Sequence, residues 1–299
     1  MKKMQKLKTI RAIEPNAGAR MSLRNKLIKL NKDFGNFVLF SMMQELEKSQ
    51  YLSVSDSFLT PAQKRVMTAL KNRGLSAFRK NQNLVGFLSE YISKNSAKWT
   101  KLLENASEKI LNKELEKVVK STATANKQAL LQAGFSKENL KESGQLPTVS
   151  SPFISPEAKK FIQEFKTEKI FDFVQMNMTT ADNIKNILAE GLETGNVFSH
   201  IQENVKLMQG STERQINNYV LDQTCKINSE ITRLNAKSLG ITKAIWKHIA
   251  GQYSSRKTHK AFDGKVFNID EGLFDEDVQK YVKPAELPYC RCVYRLIYD

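Results

Sequence analysis

The chain holds only three cysteines in 299 residues, Cys225, Cys290 and Cys292. That is too few to staple a polypeptide of this length, so a disulfide framework is excluded and a reducing compartment is the expected setting. Long apolar runs are also missing. The most apolar stretch, near Phe37 to Met43, falls far short of the roughly 18–20 residues a bilayer span needs. The lysine-rich start, Met1 to Lys8, is not followed by an apolar segment of signal-peptide length. A soluble, cytoplasmic protein, or one inside a particle assembled there, is expected, with no membrane partner. No Walker-type loop, Rossmann glycine pattern, His-Glu-x-x-His helix or Gly-x-Ser-x-Gly elbow occurs, which removes several enzyme classes. Internal repeats and low-complexity tracts are absent as well.

What is present is positive charge, unevenly spread. Residues 1–150 hold 27 Lys/Arg against 12 Asp/Glu and residues 151–299 hold 20 against 19, so +15 of the net +16 lies in the first half. Such an excess attracts polyanions through screened Coulomb forces and counterion release. DNA, RNA or a strongly acidic protein surface are the partners this favours, against the plainer reading of a solvated helical surface. A hydrophobic content of 40% is enough to build true cores.

Periodicity makes most of the chain helical. Leu23, Leu27, Leu30, Phe34, Val38, Met42 and Leu46 recur at spacings of three and four, one face of a helix in need of a partner. Thr60 and Pro61 suit the start of another helix, whose Lys64, Arg65, Lys71, Arg73, Arg79 and Lys80 are the first choice for tracking phosphates or an acidic protein surface. A long helix is predicted from Ser96 to about Ala133, with Glu104, Glu108, Glu114 and Glu116 among lysines on an exposed face and Trp99 as a core anchor rather than a base-stacking platform. Glycines, prolines and serines over 134–156 read as a linker. Beyond it, helices are expected over 156–176, with Phe161, Phe165, Phe171 and Phe173 on its apolar face, and over 179–193. A shorter helix through Ile201 and Val205 follows, and a long one opens at Ser211-Thr212-Glu213. After Gly240 the period changes, and Ile241–Ile249, Lys265–Phe267 and Cys292–Tyr298 read as short strands. The expected fold is mainly α: a helical N-terminal region, then a helical domain ending in a small α+β cap. The expected division is a basic arm over 1–19, a basic helical domain over 20–133, the linker, and a second domain over 157–299.

The most distinctive residues come late and in a fixed order. Asp222, Gln223 and Thr224 lie on a helix, Trp246 on an extended segment, His259 four positions before Asp263-Gly264, and Cys290-Arg291-Cys292 near the end. Asp-Gly is a strong turn signal. His259 is placed to bond Asp263, which would fix one tautomer. Two cysteines one residue apart on a strand face the same side. With His259 and either His248 or Asp263 they offer four ligands to a tetrahedral zinc. Structural zinc sites usually leave two to four residues between paired cysteines, whereas here there is one, so no cofactor is expected and zinc is the lesser reading. In the preferred reading Arg291 anchors the last strand to the acidic stretch Asp270–Asp277. Asp222, Gln223 and Thr224 make separate polar contacts with the cap, and Cys225 is a small apolar residue.

This ordered series resembles the Mu F-like minor head proteins of tailed bacteriophages, the head-morphogenesis family, and "RAIEPNAGAR" at 11–20 resembles that family's N-terminal region. The resemblance implies a non-enzymatic minor head protein, located in the virion head and in the host cytoplasm during assembly. It implies association with the portal and a part in head assembly, DNA packaging or ejection. Its partners would be the portal protein, packaged double-stranded DNA and the major capsid or scaffold protein. The chain departs from the family where an acidic residue and Arg-Val-Arg commonly precede the His: "GQYSSRKTH" keeps only Arg256 and Lys257. One alternative is a zinc-binding or effector-type enzymatic C-terminal module, since Mu F-like segments are also joined to toxin or transferase domains, although no room for an effector follows Asp299. A nucleoid-type or RNA-binding protein from integrated phage DNA is another.

Overall fold

The structure, a computed structural model, describes residues 7–48, 84–138, 140, 153–194, 197–250 and 255–298. Four long helices carry most of it: α1 (Ala17–Lys48), α2 (Leu84–Gln132), α3 (Pro156–Thr194) and α4 (Val197–Ser238). Then follow β1 (Lys243–Lys247), α5 (Lys257–Phe262), β2 (Val266–Asn268), β3 (Leu273–Asp275), β4 (Lys280–Val282) and β5 (Val293–Ile297). The fold is mainly α with a small α+β cap, as the change of period after Gly240 predicts.

Local chemistry explains where the helices start and why they run on. Asn16 opens α1, its Oδ1 accepting the Ala19 N–H at 2.8 Å and satisfying a first-turn donor that has no partner inside the helix. Leu23, Leu27, Phe34, Val38, Met42 and Leu46 are buried, as the stripe predicts, while Leu30 is half-buried. The breaks expected near 177–178 and before Ser211 do not occur. Thr179 Oγ1 donates to the Gln175 and Met176 carbonyls, and Thr212 Oγ1 to Met208 O. Hydroxyls that would cap a new helix bond back into the running one. Likewise α2 starts at Leu84, and Ser96 Oγ donates to Ser93 O instead of capping.

Two side-chain expectations need correction. Phe165 and Phe173 are buried but Phe171 is 62% exposed, because the buried row runs 165, 169, 173 and position 171 projects from the other side. Glu104, Glu108 and Glu116 are exposed as expected, but Glu114 is buried. Ser22 Oγ donates to Glu114 Oε2 at 2.7 Å, and Lys117 Nζ lies 2.9 Å from both carboxylate oxygens.

By contacts the chain divides into two compact units, Met1–Asn25 with Ile110–Lys169 and Ile216–Asp299, and Lys26–Lys109 with Ile170–Gln215. Each long helix contributes a stretch to both. The segment 134–156 falls inside a single stretch of the first unit, Ile110–Lys169, and of its described residues Leu140 and Phe153 are fully buried. Asn235 holds its far end, Nδ2 donating to Phe153 O and Oδ1 accepting from Ser155 N, both at 2.9 Å. The second unit is packed around Trp99, which meets Phe34, Phe37 and Tyr91 edge-on. Trp99 is 1% exposed, a core anchor as expected.

In the first unit the core lies beneath an antiparallel sheet of order β2-β1-β5. Ala244 pairs with Phe267 and Leu296, and Trp246 with Tyr294, which turns the alternate apolar residues of β1 inward. Residues 8–10, read from sequence as part of a basic arm, lie along the free edge of β5. Ile10 N donates to Leu296 O at 2.9 Å, and Tyr298 N donates to Lys8 O at 3.2 Å. Ile10 and Ile13 are buried. Strands β3 and β4 form a separate hairpin that sequence patterning misses, three residues per strand being too short for a period to register.

Candidate functional site

The residues of the late motif converge where the end of β1, helix α5 and the loop before β5 meet. Neither cysteine is in a strand, contrary to the sequence reading. β5 begins at Val293, and the cysteines lie on an irregular loop in which Tyr289 has φ 61° and Cys290 N donates to Leu287 O at 3.1 Å. The turn still brings both sulfurs to one side, and the Nδ1 of His259 with the Sγ of Cys290 and Cys292 lie within 4.8 Å of one another. Nδ1 of His259 is 3.3 Å from Cys290 Sγ and 3.8 Å from Cys292 Sγ. His248, just past β1 and half-buried, places its Nδ1 3.6 Å from Cys292 Sγ.

His259 does not pair with Asp263. Its Nε2 is 3.2 Å from Oδ2 of the fully buried Asp275, a close contact that is not aligned as a hydrogen bond. Asp275 is held in turn by Thr258 Oγ1 at 3.2 Å and by the Asp277 N–H at 2.9 Å. Asp263 instead accepts the His248 N–H at 2.7 Å, and Gly264, at φ 82°, donates its N–H to Trp246 O at 2.9 Å. The Asp-Gly turn therefore fastens α5 to β1. Asp275 is the functional residue sequence reasoning overlooks. Its signal is a carboxylate inside the short apolar stretch Leu273-Phe274-Asp275, with no local reason to be buried.

Trp246 is fully buried and packs edge-on against His259 at 5.3 Å and Phe262 at 5.0 Å. Its indole N–H has no well-aligned acceptor, yet it is near enough to Cys292 to favour the thiolate there. The two thiols titrate as one unit. A hydrogen bond from Cys292, opposed by burial and reinforced by the His259 hydrogen bond and charge, draws Cys290 down to about 4. Cys292 is pushed up by the same Cys290 contact and by burial. Backbone N–H groups also contribute, Cys292 N toward the Cys290 sulfur and Ile249 N toward the Cys292 sulfur.

Helix α4 and the start of α5 aim the cysteine loop. Asp222 Oδ1 accepts the Tyr289 N–H at 2.7 Å, while Oδ2 takes Lys226 Nζ at 2.8 Å and Gln223 Nε2 at 2.9 Å. Ser229 Oγ donates to Pro284 O at 2.5 Å, and Arg256 Nη2 donates to Pro288 O at 3.0 Å. Of the expected polar trio only Asp222 bonds the cap. Gln223 leaves its Oε1 without a partner, and Thr224 Oγ1 bonds back to Val220 O and Leu221 O. Burial raises the Cys225 thiol to about 12, keeping it an inert apolar residue as expected. Arg291 does not hold the acidic stretch. Its charge acts toward Cys225, and Asp270 is held instead by Arg233 and by Lys237 Nζ, the latter at 2.9 Å. Lys64, Arg65, Lys71, Arg73, Arg79 and Lys80 lie outside the described residues, and no described helix is long and apolar enough to cross a membrane.

No solved structure matches this chain. A curated relative, an uncharacterized protein of Haemophilus influenzae, is 22% identical over 197 residues, covering 62% of this chain and 43% of that protein. The chain thus spans less than half of that relative's length. Residues 182–295, which contain α4, strands β1 to β4, the start of β5 and every residue of the thiol and imidazole cluster, match the family model of Phage Mu protein F like protein.

Proposed function

We propose that this protein is a minor structural component of a tailed-phage head that docks on the portal and lies against packaged DNA through its basic N-terminal half. The observation that carries the reading is the family match over 182–295, which supports a role in head morphogenesis. The partner assignment draws on the charge split, +15 in residues 1–150 against +1 in the remainder. Contacts of that kind neutralise phosphates without reading bases. The cap acts as a fixed fold that presents the basic portion, and its thiols and His259 are each at most 4% exposed, which leaves a substrate no direct access to them.

Two measurements on the full-length chain test the reading. Pull-down from phage-infected or prophage-induced cells should recover portal protein with it, and purified virions should contain it in few copies. Its retention of double-stranded DNA should fall steeply and without sequence preference as salt rises. DNA binding insensitive to salt would overturn the phosphate contact, and virions that lack the polypeptide yet fill and infect normally would overturn the whole reading.

A further inference from the structure

We propose that Cys290 Sγ, Cys292 Sγ, His259 Nδ1 and His248 Nδ1 form a closed tetrahedral site for a structural zinc ion that pins the cysteine loop to β1 and α5. The inference stands apart from portal or DNA contact and holds or fails by itself.

The geometry comes first. Zinc at about 2.3 Å from sulfur and about 2.0 Å from nitrogen, tetrahedrally bound, sets ligand atoms roughly 3.3–3.8 Å apart. The Cys290–His259, Cys292–His248 and Cys292–His259 separations are 3.3, 3.6 and 3.8 Å. Two sulfurs and two imidazole nitrogens in this arrangement suit zinc over harder cations. Of the two candidates for the fourth position, Asp263 is occupied by the His248 N–H at 2.7 Å, whereas the Nδ1 of His248 stands 3.6 Å from Cys292 Sγ and has to move to join the three atoms that lie within 4.8 Å of one another.

The surroundings have the form of an outer coordination shell. Metal-bound histidines commonly present their second nitrogen to a carboxylate, and Asp275, with no exposed surface, stands 3.2 Å from His259 Nε2. The one-residue spacing of the cysteines is no obstacle, because the positive φ of Tyr289 turns the loop so that both sulfurs face inward.

The test uses the full-length chain, purified under reducing conditions without chelator. Elemental analysis should find about one zinc per chain, and replacement by cobalt(II) should give the thiolate charge-transfer and intense visible bands of a tetrahedral ion. Stripping wild-type protein with a chelator should lower Tm, and zinc should restore it, a readout that needs no variant. Cys290→Ser with Cys292→Ser should abolish metal uptake, and Cys225→Ser should leave it intact. Asp275→Asn should weaken zinc affinity about 10- to 100-fold while preserving the cobalt spectrum. Reduced wild-type protein that takes up neither zinc nor cobalt would overturn the proposal. So would zinc retained by the double variant, or a Cys290–Cys292 disulfide in protein from assembled particles.

Discussion

Glu114 shows how one buried charge sets a pH response. Burial raises its carboxyl, but hydrogen bonds from Lys117 and Ser22 outweigh that, and the net shift is below the ordinary value of 4.5. A carboxyl lowered on folding adds stability above its unfolded value, and that stability is lost as pH falls through the folded one. The Tm of wild-type protein should therefore drop on acidification from about pH 4.5 downward, and Glu114→Gln should flatten that part of the profile. An equal slope in the variant would show that other carboxylates dominate. Gly272 is a second single-residue constraint. Its φ is 90°, and an added Cβ would lie 2.2 Å from Val282 O. Gly272→Ala should cost at least about 1–3 kcal/mol from the backbone conformation alone, seen as a lower urea midpoint. Composition and spacing mark neither residue, because both depend on what the chain brings opposite them.

The helices and strands answer to local sequence more faithfully, and the exceptions share a cause. Helix stripes, the turn at Asp263-Gly264 and strands β1, β2 and β5 of the three-stranded sheet follow from period and turn chemistry. The false breaks arise from Thr179, Ser211 and Thr212, residues that cap helices or bond back into them with equal ease. Packing of the flanking apolar positions decides between the two. Gly210 inside α4 has open space around its absent Cβ. Gly210→Ala should therefore stabilise the protein by about 1 kcal/mol, measured as a raised Tm, and a lower value would reveal strain at that turn. The stretch Lys8–Ile10, bridged to β5 through Thr9 and Ile297, is the counterpart. Ile10 is 1% exposed, and Ile10→Ala should cost about 2–4 kcal/mol by chemical unfolding. A cost near zero would mean that the β5 edge does not depend on this stretch.

For the whole molecule, the contact units are assembled from stretches far apart in sequence. A cut between residues 145 and 150 removes part of each core. Fragments 1–145 and 150–299 should therefore be poorly folded when made separately and should recover helicity when co-expressed, as circular dichroism would show. A fully folded, monomeric 150–299 fragment would contradict this. The amino-acid sequence alone determined the mainly helical class with its small mixed cap, the charge asymmetry and the likeness to Mu F-like proteins over 182–295, since each is written in composition, period or ordered motifs. Only the tertiary structure decided that His259 faces Asp275 instead of Asp263, that the N-terminal stretch bridges to the edge of β5, and that two thiols and two imidazoles meet. Those contacts join residues from 16 positions apart, His259 and Asp275, to 290 apart, Lys8 and Tyr298, and chain distance carries no signal for which groups will find each other once the core closes.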